Sequence, residues 1–252
     1  MSDVSDWWRT AIIDMEPGRI ALRGHDIGDL IGRASLPEVI WLMLRGERPS
    51  VVQARLLEAA LVAAVDHGPQ APAIAAARMA VTCGVPLNAA MATGVGMLGD
   101  VHGGAGAQAV ELFEMALAAD VPTAVARWRA ERGRYLPGYG HRFHKDGDPR
   151  APVLMAALRD AAGAGACEGA WADVAEAVAA EIGQPMNIDG ATGAIYGALG
   201  FAPPLARGLF CLSRSIGILA HAWEQTEQGG RNKGPTPPDH RWTYDGPSES
   251  DD

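Results

Sequence analysis

Apolar residues recur along this chain at the spacing of helices, whereas alternating runs of β-branched residues are almost absent. Two segments, Ser35 to Glu38 and Ser50 to Gln53, have the capping-box form, in which Ser and Glu or Gln side chains satisfy exposed backbone N–H groups. The pattern predicts helices near 36–45, 51–66, 71–82, 86–98, 104–119, 122–132, 150–162, 171–182, 190–199 and 204–226. The predicted fold class is therefore all-α.

One apolar stretch, Met79 to Leu98, has about the length that spans a bilayer. Gly84-Val85-Pro86 interrupts it, because proline cannot continue a helix interior and glycine favours a break. Two shorter, buried helices explain the stretch better than one membrane span. We therefore expect no membrane partner.

Helical periodicity is lost between Gly133 and Arg150, where Gly, Pro, Tyr, His and charged residues predict a long loop. Loops of this length usually carry function. Periodicity ends again beyond Gln228, where Gly, Pro and charged residues predict an extended or disordered tail over 228–252.

The composition narrows the class of protein. The chain has 252 residues, a net charge of −9 and no basic stripe, which argues against a nucleic-acid groove with its clustered Lys and Arg. Its three distant cysteines, Cys83, Cys167 and Cys211, predict neither a disulfide framework nor a cysteine zinc site. The acidic N-terminus lacks the basic start and apolar run of a signal peptide. We expect a cytoplasmic protein.

Three histidines, His67, His102 and His141, lie next to glycines at the ends of predicted elements. Glycine lets a backbone approach a ligand closely, and a helix start offers N–H groups to an anion. Such a site would suit a carboxylate substrate. For any one His-Gly pair alone, helix packing and a solvated histidine are the simpler explanation.

Acidic and cationic candidates also have two explanations each. Asp189, taken alone, is better explained as a helix N-cap than as a base, and Asp148 before a proline is expected to be only a cap. Arg150 follows that cap. Arg214 lies inside an apolar helix, so it must pair with an internal acid, snorkel out or bind an anionic ligand.

A metal site is the competing explanation for clustered histidines. The closest pair, His141 and His144, is separated by three residues in a predicted loop, and no HExxH motif is present. We predict no bound metal.

Taken in order, HGGA at 102–105, PGYGHR at 137–142, DPR at 148–150 and N-x-D-G at 187–190 resemble the citrate synthase superfamily. The resemblance runs from an RGY-type element at 19–27 to the segment at 213–217. The short length and the Asp66-His67-Gly68-Pro69 form look most like stand-alone citryl-CoA lyases and the lyase-type module of ATP-citrate lyase.

The resemblance implies a citrate synthase-like fold with two helical domains. A large domain of 1–103 and 201–227 would form a homodimer, a smaller inserted domain of 104–200 would close over acyl-CoA, and 228–252 would form a tail. The family's N-terminal helices and its usual Arg-Pro element near the C-terminus have no clear counterparts.

The same resemblance implies the chemistry. Asp189 would be the base at the acetyl methyl carbon, His102 the donor to the thioester oxygen, and His141 the group that polarises or protonates the oxaloacetate carbonyl. In the reverse direction, His141 would take the alcohol proton. The substrate carboxylates would be held by four residues: His67, Arg150, Arg214 and Arg231, with Lys233 as a substitute for Arg231.

Coenzyme A enters as a thioester substrate, and no permanently bound cofactor is expected. The resemblance implies that the loop lies along CoA, with two cations near its phosphates; the residues are Pro137, Gly138, Tyr139, Gly140, Arg142 and Lys145. Expected partners are citryl-CoA, or acetyl-CoA and oxaloacetate, and further copies of the chain in a homodimer or higher homo-oligomer.

Three functions therefore remain open. The first is a citryl-CoA lyase-like enzyme that yields acetyl-CoA and oxaloacetate. The second is a compact citrate or 2-methylcitrate synthase, since the same groups work in both directions. The third is a non-catalytic homologue that binds CoA or dicarboxylates.

Overall fold

The computed structural model describes residues 4–247, so residues 248–252 of the predicted tail lie outside the described residues. A short 3-10 helix at Val4–Asp6 precedes the regular elements. These are β1 Ile13–Glu16, β2 Arg19–Leu22, β3 His25–Asp26, α1 Ile27–Leu30, α2 Leu36–Arg45, α3 Val51–Ala64, α4 Pro72–Thr82, α5 Leu87–Gly96, α6 Ala105–Ala118, α7 Val121–Arg132, α8 Arg150–Gly163, α9 Ala170–Ile182, α10 Ile188–Ala198 and α11 Pro203–Gln228.

The predicted all-α class is confirmed, and helix boundaries follow the local signals. The Ser35 hydroxyl and the Glu38 carboxylate form the predicted capping box at α2. At α3, the Gln53 side chain accepts from the backbone N–H of Ser50, and the Ser50 hydroxyl accepts from that of Gln53. Each predicted helix from α2 to α11 begins and ends within two residues of its expected bounds.

A small antiparallel sheet is the element that the pattern did not predict. Its order is β1-β2-β3, with Ile13 opposite Leu22 and Ala21 opposite Asp26. The strands are two to four residues long, and only Ala21 in them is buried. Such short, exposed strands carry no alternating apolar pattern, so periodicity could not reveal them.

The described residues fall into two compact units. The first combines the chain up to Ala64 with Gly104–Phe210, and the second combines Val65–Gly103 with the chain from Cys211 onward. The division into a large domain and an inserted domain at 104–200 stays a prediction.

Helix α10 is the centre of the first unit. Every residue of α10 except Asp189 is buried, and the helix packs against α3, α6, α8 and α9. Small residues permit this crowding, since a Cβ on Gly193 would lie 2.9 Å from the Ala109 Cβ and 3.0 Å from the Gly106 oxygen. A Cβ on Gly197 would fall within the Trp171 ring. The glycines of α10 are therefore packing residues.

Gly197→Ala should lower the free energy of unfolding by about 1–3 kcal/mol or more, because the added methyl collides with a buried ring. Gly208→Ala is a matched control, since that glycine lies on α11 with no atom within 4 Å of its would-be Cβ. The control should be neutral or stabilising by up to about 1 kcal/mol. Denaturant melts followed by circular dichroism measure both; equal stabilities would contradict the packing role.

The second unit contains the apolar stretch that was compared with a membrane span. The stretch forms two helices as predicted, since α4 ends at Thr82 and α5 begins at Leu87. Both were expected to be buried, but α5 buries only Ala90 and Gly94. Gly94 lets α5 approach the Ala73 carbonyl and Ile218. Within residues 4–247, no helix combines the length and apolar character needed to cross a membrane.

Candidate active site

His102 is held by the start of α4. Its Nε2 accepts a hydrogen bond of 3.2 Å from the backbone N–H of Ala73, one of the N–H groups that a helix start leaves without a helical partner. Because a backbone N–H can only donate, the ring proton must lie on Nδ1. Burial, and then the positive charge of Arg214, lowers the pKa of His102. The ring is therefore neutral at pH 7, and its Nδ1–H is available as a donor.

Arg214 is buried within α11, with only 5% of its surface exposed. Its charge acts on His102, so these two predicted site residues lie close enough in the second unit to interact. An arginine this deeply buried requires hydrogen-bond or charge partners. Of the alternatives that the sequence left open, this burial excludes an arginine that snorkels out to solvent.

His67 lies in an exposed turn between α3 and α4. The Asp66 carboxylate closes the turn by accepting a hydrogen bond of 3.1 Å from the Gly68 N–H, and Gly68 takes a positive φ of +82°. On α11, Gly217 has no side chain, and a Cβ there would collide with the Val65 carbonyl. The turn that carries His67 is therefore seated on α11 one helical turn after Arg214.

Arg231 begins a segment that is fastened to the end of α4. The backbone N–H of Asn232 donates to the Thr82 carbonyl, and that of Lys233 donates to the Thr82 hydroxyl, both at 3.0 Å. The Lys233 ammonium donates to Gln225 at 3.2 Å. Residues 229–247 contain no helix or strand. The Arg231 side chain is exposed, and its carboxylate contact stays a prediction.

Asp148 is the main site residue that sequence reasoning undervalued. Its buried carboxylate accepts from the N–H, Nε and Nη2 of Arg150 at 2.8–3.1 Å, and from the Ile188 N–H at 3.1 Å. It therefore joins the starts of α8 and α10. Burial alone would raise the pKa of Asp148, but Arg150 and the Ile188 N–H lower it to about 2. A role as a cap only, as expected, does not describe these contacts.

Asp189 lies in the first turn of α10 and is half-buried. Asn187 is the N-cap, because its side-chain oxygen accepts from the N–H groups of Asp189 and Gly190. The N-cap explanation of Asp189 is therefore wrong. A Cβ on Gly106 would lie 3.9 Å from an Asp189 carboxylate oxygen, so this carboxylate lies beside the start of α6 as well. Two helix starts stabilise its negative charge.

Asn187 also holds the loop that carries His141. Its side-chain N–H donates to the Gly140 carbonyl at 2.6 Å, and its backbone N–H donates to the Gly138 carbonyl at 2.9 Å. One side chain thus orients both Asp189 and the residue before His141. The sequence signal was the asparagine of N-x-D-G, to which no role was given.

His141 has a defined tautomer. Its Nδ1 accepts from the backbone N–H groups of Phe143 and His144, both at 3.1 Å, so the ring proton lies on Nε2. Burial lowers the pKa of His141, the Asp148 charge opposes this, and His144, Arg150 and Lys145 add to the lowering. A neutral ring can donate from Nε2 to an oxygen.

The loop before His141 packs against the start of α10. Gly138 has a φ of +89°, and a Cβ there would lie 2.5 Å from the Gly190 Cα, so no other residue fits. Tyr139 is buried and donates to the Ala175 carbonyl at 2.7 Å. Its side chain therefore belongs to the core, and a CoA contact of this segment would use the backbone.

The two predicted phosphate contacts, Arg142 and Lys145, are exposed on the same loop. Their positive charges lie at the surface, and that of Lys145 reaches His141. Their contact with CoA stays a prediction. Among residues 4–247, no group of three or more His, Cys, Asp or Glu side chains is placed to hold a metal ion.

The structure therefore gathers the predicted site residues into two groups. In the first unit, Asp148 and Asn187 connect Arg150, Asp189 and the His141 loop. In the second unit, His102 and Arg214 interact, and the His67 turn is seated on the same helix as Arg214. The fold and these two groups of residues together describe an all-α protein that carries acid–base side chains near the starts of its helices.

Comparison with known proteins shows the family to which this chain belongs. Residues 43–234 match the family described as citrate synthase, C-terminal domain. A curated relative, the citrate synthase of Haloferax volcanii, is 32% identical over 73% of this chain and 50% of its own length. The chain belongs to the citrate synthase family, and it spans about half the length of the curated relatives it matches.

Solved structures give similar proteins of two lengths. The citryl-CoA lyase of Hydrogenobacter thermophilus is 33% identical, with a TM-score of 0.85 over 97% of each chain. The ATP citrate lyase of Methanothrix soehngenii, solved with citrate and coenzyme A, has a TM-score of 0.78 over 99% of this chain and 45% of its own. At 23% identity, the second similarity shows the fold alone.

Proposed function

We propose that this chain is a citryl-CoA lyase-like enzyme that cleaves citryl-CoA to acetyl-CoA and oxaloacetate. The similarity to the Hydrogenobacter citryl-CoA lyase carries the proposal, because it extends over 97% of both chains at 33% identity. The curated synthases are matched over only about half of their length. A cytoplasmic location stays a prediction.

The reaction breaks the bond between the hydroxyl-bearing carbon and the carbon next to the thioester. The bonding electrons pass into the thioester as an enolate, the hydroxyl proton leaves, and the hydroxyl carbon becomes the ketone of oxaloacetate. The enolate carbon then receives a proton and becomes the acetyl methyl group. The enzyme must stabilise the enolate and move two protons.

His102 is suited to stabilising the enolate. It is neutral, and the Ala73 N–H fixes its proton on Nδ1, so the ring presents a donor that needs no reorganisation. Asp189 would supply the proton to the enolate carbon, or remove it in the reverse direction. We assign both roles on motif position and on these contacts.

His141 would hold the oxygen at which the ketone forms. Its Nε2 proton suits donation to that oxygen. To take the alcohol proton at Nε2, the ring must first move its own proton to Nδ1, so the Phe143 and His144 N–H groups must turn away. We therefore propose that the loop at 143–144 rearranges during cleavage.

Cationic and histidine side chains would bind the carboxylates, and Arg150 is the best prepared of them. Asp148 takes the Nε and Nη2 atoms of Arg150 in a bidentate pair, which fixes the direction of the guanidinium. His67, Arg214 and Arg231 complete the proposed set. CoA would lie along the backbone of Pro137 to Gly140.

A synthase is the second candidate, and the curated relatives favour it. Besides the Haloferax enzyme, the 2-methylcitrate synthase of Mycobacterium tuberculosis is 30% identical over 73% of this chain. The same three groups could condense acetyl-CoA with oxaloacetate, and hydrolysis of citryl-CoA would then follow.

One assay separates these activities. The purified chain is given citryl-CoA in one reaction and acetyl-CoA plus oxaloacetate in another. Acetyl-CoA, oxaloacetate, citrate and free CoA are followed by chromatography in both. Acetyl-CoA and oxaloacetate without free citrate support the lyase. Rapid release of CoA from acetyl-CoA plus oxaloacetate contradicts it and supports the synthase. Calorimetric binding of CoA without turnover of either substrate supports the non-catalytic homologue.

The expected homodimer has a candidate surface on α11. Four apolar side chains, each 40–56% exposed, are spaced by four, three and four residues and form one stripe: Leu212, Ile216, Leu219 and Trp223. The last three, with Ala220 and Leu87 of α5, line a shallow apolar groove. An exposed apolar stripe of this kind marks an interaction surface. We propose that a second copy of the chain covers it.

Leu219→Asp and Trp223→Asp should each convert the dimer to a monomer, because a buried, unpaired carboxylate opposes association. Light scattering after size exclusion measures the mass. Val153→Asp is the control, since Val153 is exposed on α8, a helix of the first unit, whereas the stripe belongs to the second. A wild-type chain that is monomeric at micromolar concentration would contradict the proposal that this stripe is a dimer interface.

A further inference from the structure

His221 of α11 bridges α4 and the turn before it. Its Nδ1 lies 3.0 Å from Nη1 of Arg78, and its Nε2 lies 3.1 Å from the Asp66 carboxylate. The ring and the guanidinium are largely buried, with side-chain exposures of 19% and 13%. All three residues belong to the second unit.

Hydrogen-bond chemistry fixes the direction of this bridge. A guanidinium has only donors, so the His221 Nδ1 must accept from Arg78. A carboxylate only accepts, so the Nε2 must carry the proton and donate to Asp66. The His221 ring therefore has one defined orientation, in which it accepts from Arg78 and donates to Asp66.

The Arg78 end of the bridge is rigid. Its Nη1 donates to Glu224 at 2.6 Å, and its Nη2 donates to Gln225 at 3.0 Å and to Gln228 at 2.9 Å. These three acceptors lie on the last turns of α11, which also carries His221. The guanidinium thus has little freedom to release the ring.

The Asp66 end reaches a proposed substrate-binding residue. While one Asp66 oxygen accepts from His221, the other accepts from the Gly68 N–H, across the turn that carries His67. Gly217, one helical turn before His221, leaves room for the Val65 carbonyl against α11. The turn therefore contacts α11 at two positions, Gly217 and His221.

We propose that Arg78, His221 and Asp66 form a positioning chain that sets the direction of His67 toward a substrate carboxylate. The inference rests on the proposed function for the role of His67, but the contacts among Arg78, His221 and Asp66 are observed within the second unit. His221 is a positioning residue, since it acts through Asp66.

The test compares His221→Phe with His221→Gln. Phenylalanine keeps the ring and removes both hydrogen bonds, whereas glutamine can still accept from Arg78 and donate to Asp66. His221→Phe should raise the KM for citryl-CoA about tenfold with kcat nearly unchanged, as expected for a misplaced binding group. His221→Gln should restore most of the affinity.

A double-mutant cycle with His67→Gln separates positioning from general damage. If His221 acts through His67, then His221→Phe should add little to the KM of His67→Gln. Additive effects, or a KM unchanged in His221→Phe, would overturn the proposal.

Amide hydrogen exchange makes the result independent of turnover. In His221→Phe, the Gly68 amide should exchange faster than in the wild type, and in His221→Gln it should stay protected. If the wild type turns over neither citryl-CoA nor acetyl-CoA with oxaloacetate, the proposed function fails. Exchange of the Gly68 amide still decides whether Arg78, His221 and Asp66 hold the turn that carries His67. Unchanged exchange in His221→Phe would overturn the positioning proposal.

Discussion

Asp189→Asn should reduce turnover of citryl-CoA by about a thousandfold while CoA still binds, since a positioned acid–base group contributes about 10²–10⁴-fold. Asparagine has the shape of aspartate but cannot carry the proton to or from the carbon. The same loss should appear in any condensation of acetyl-CoA with oxaloacetate, because the carbon acid is the same in both directions.

The structure makes this substitution a clean one. Asn187 caps α10, so Asp189 is not needed for the cap, and its carboxylate lies beside the start of α6. The free energy of unfolding should therefore fall only by the loss of the charge's interaction with the two helix starts, about 0.3–1 kcal/mol each. Asp173→Asn is the control, because that aspartate lies in the first turn of α9 and pairs with the exposed Arg159. Full activity in Asp189→Asn would remove Asp189 as the acid–base group.

Asp148→Ala should lower the free energy of unfolding by about 3–5 kcal/mol, as expected when one partner of a buried ion pair is removed. The substitution removes the acceptor of the Arg150 Nε and Nη2 and of the Ile188 N–H. It should also weaken substrate binding, because Arg150 loses the bidentate pair that fixes its direction. Asp160→Ala, at an exposed position of α8, is the control and should change the free energy of unfolding by less than about 0.5 kcal/mol.

The stabilising contribution of Asp148 should also be measurable in the wild type, as a loss of stability at low pH. The pKa of Asp148 is lowered to about 2 in the folded chain, so its stabilisation is present above the unfolded value near 4 and is lost as pH falls toward 2. Asp148→Asn should flatten this part of the stability curve. Urea melts between pH 2 and pH 5 measure it; parallel curves for the two proteins would show that Asp148 does not contribute.

Local signals explain why most of the fold could be predicted. Helix starts and ends depend on residues within four positions of each other, as in the capping box of Ser35 and Glu38. The small sheet was missed, because strands of two to four residues are specified by pairing rather than by a pattern within one segment.

The candidate residues were also found in sequence, since their motifs occur in the order of a known family. Their connections were not. Asp148 was expected to be a cap, yet its fourth hydrogen bond comes from Ile188, forty residues away. Asn187 received no role, although it holds both Asp189 and the Gly140 carbonyl. Neither contact leaves a periodic signal.

The sequence by itself determined the helices, the family and the side chains available for acid–base chemistry. The tertiary structure decided how those side chains are prepared. The Ala73 N–H puts the His102 proton on Nδ1, and the N–H groups of Phe143 and His144 put the His141 proton on Nε2. A histidine is the same residue in either tautomer, so only the neighbours that folding brings to each ring nitrogen can select one.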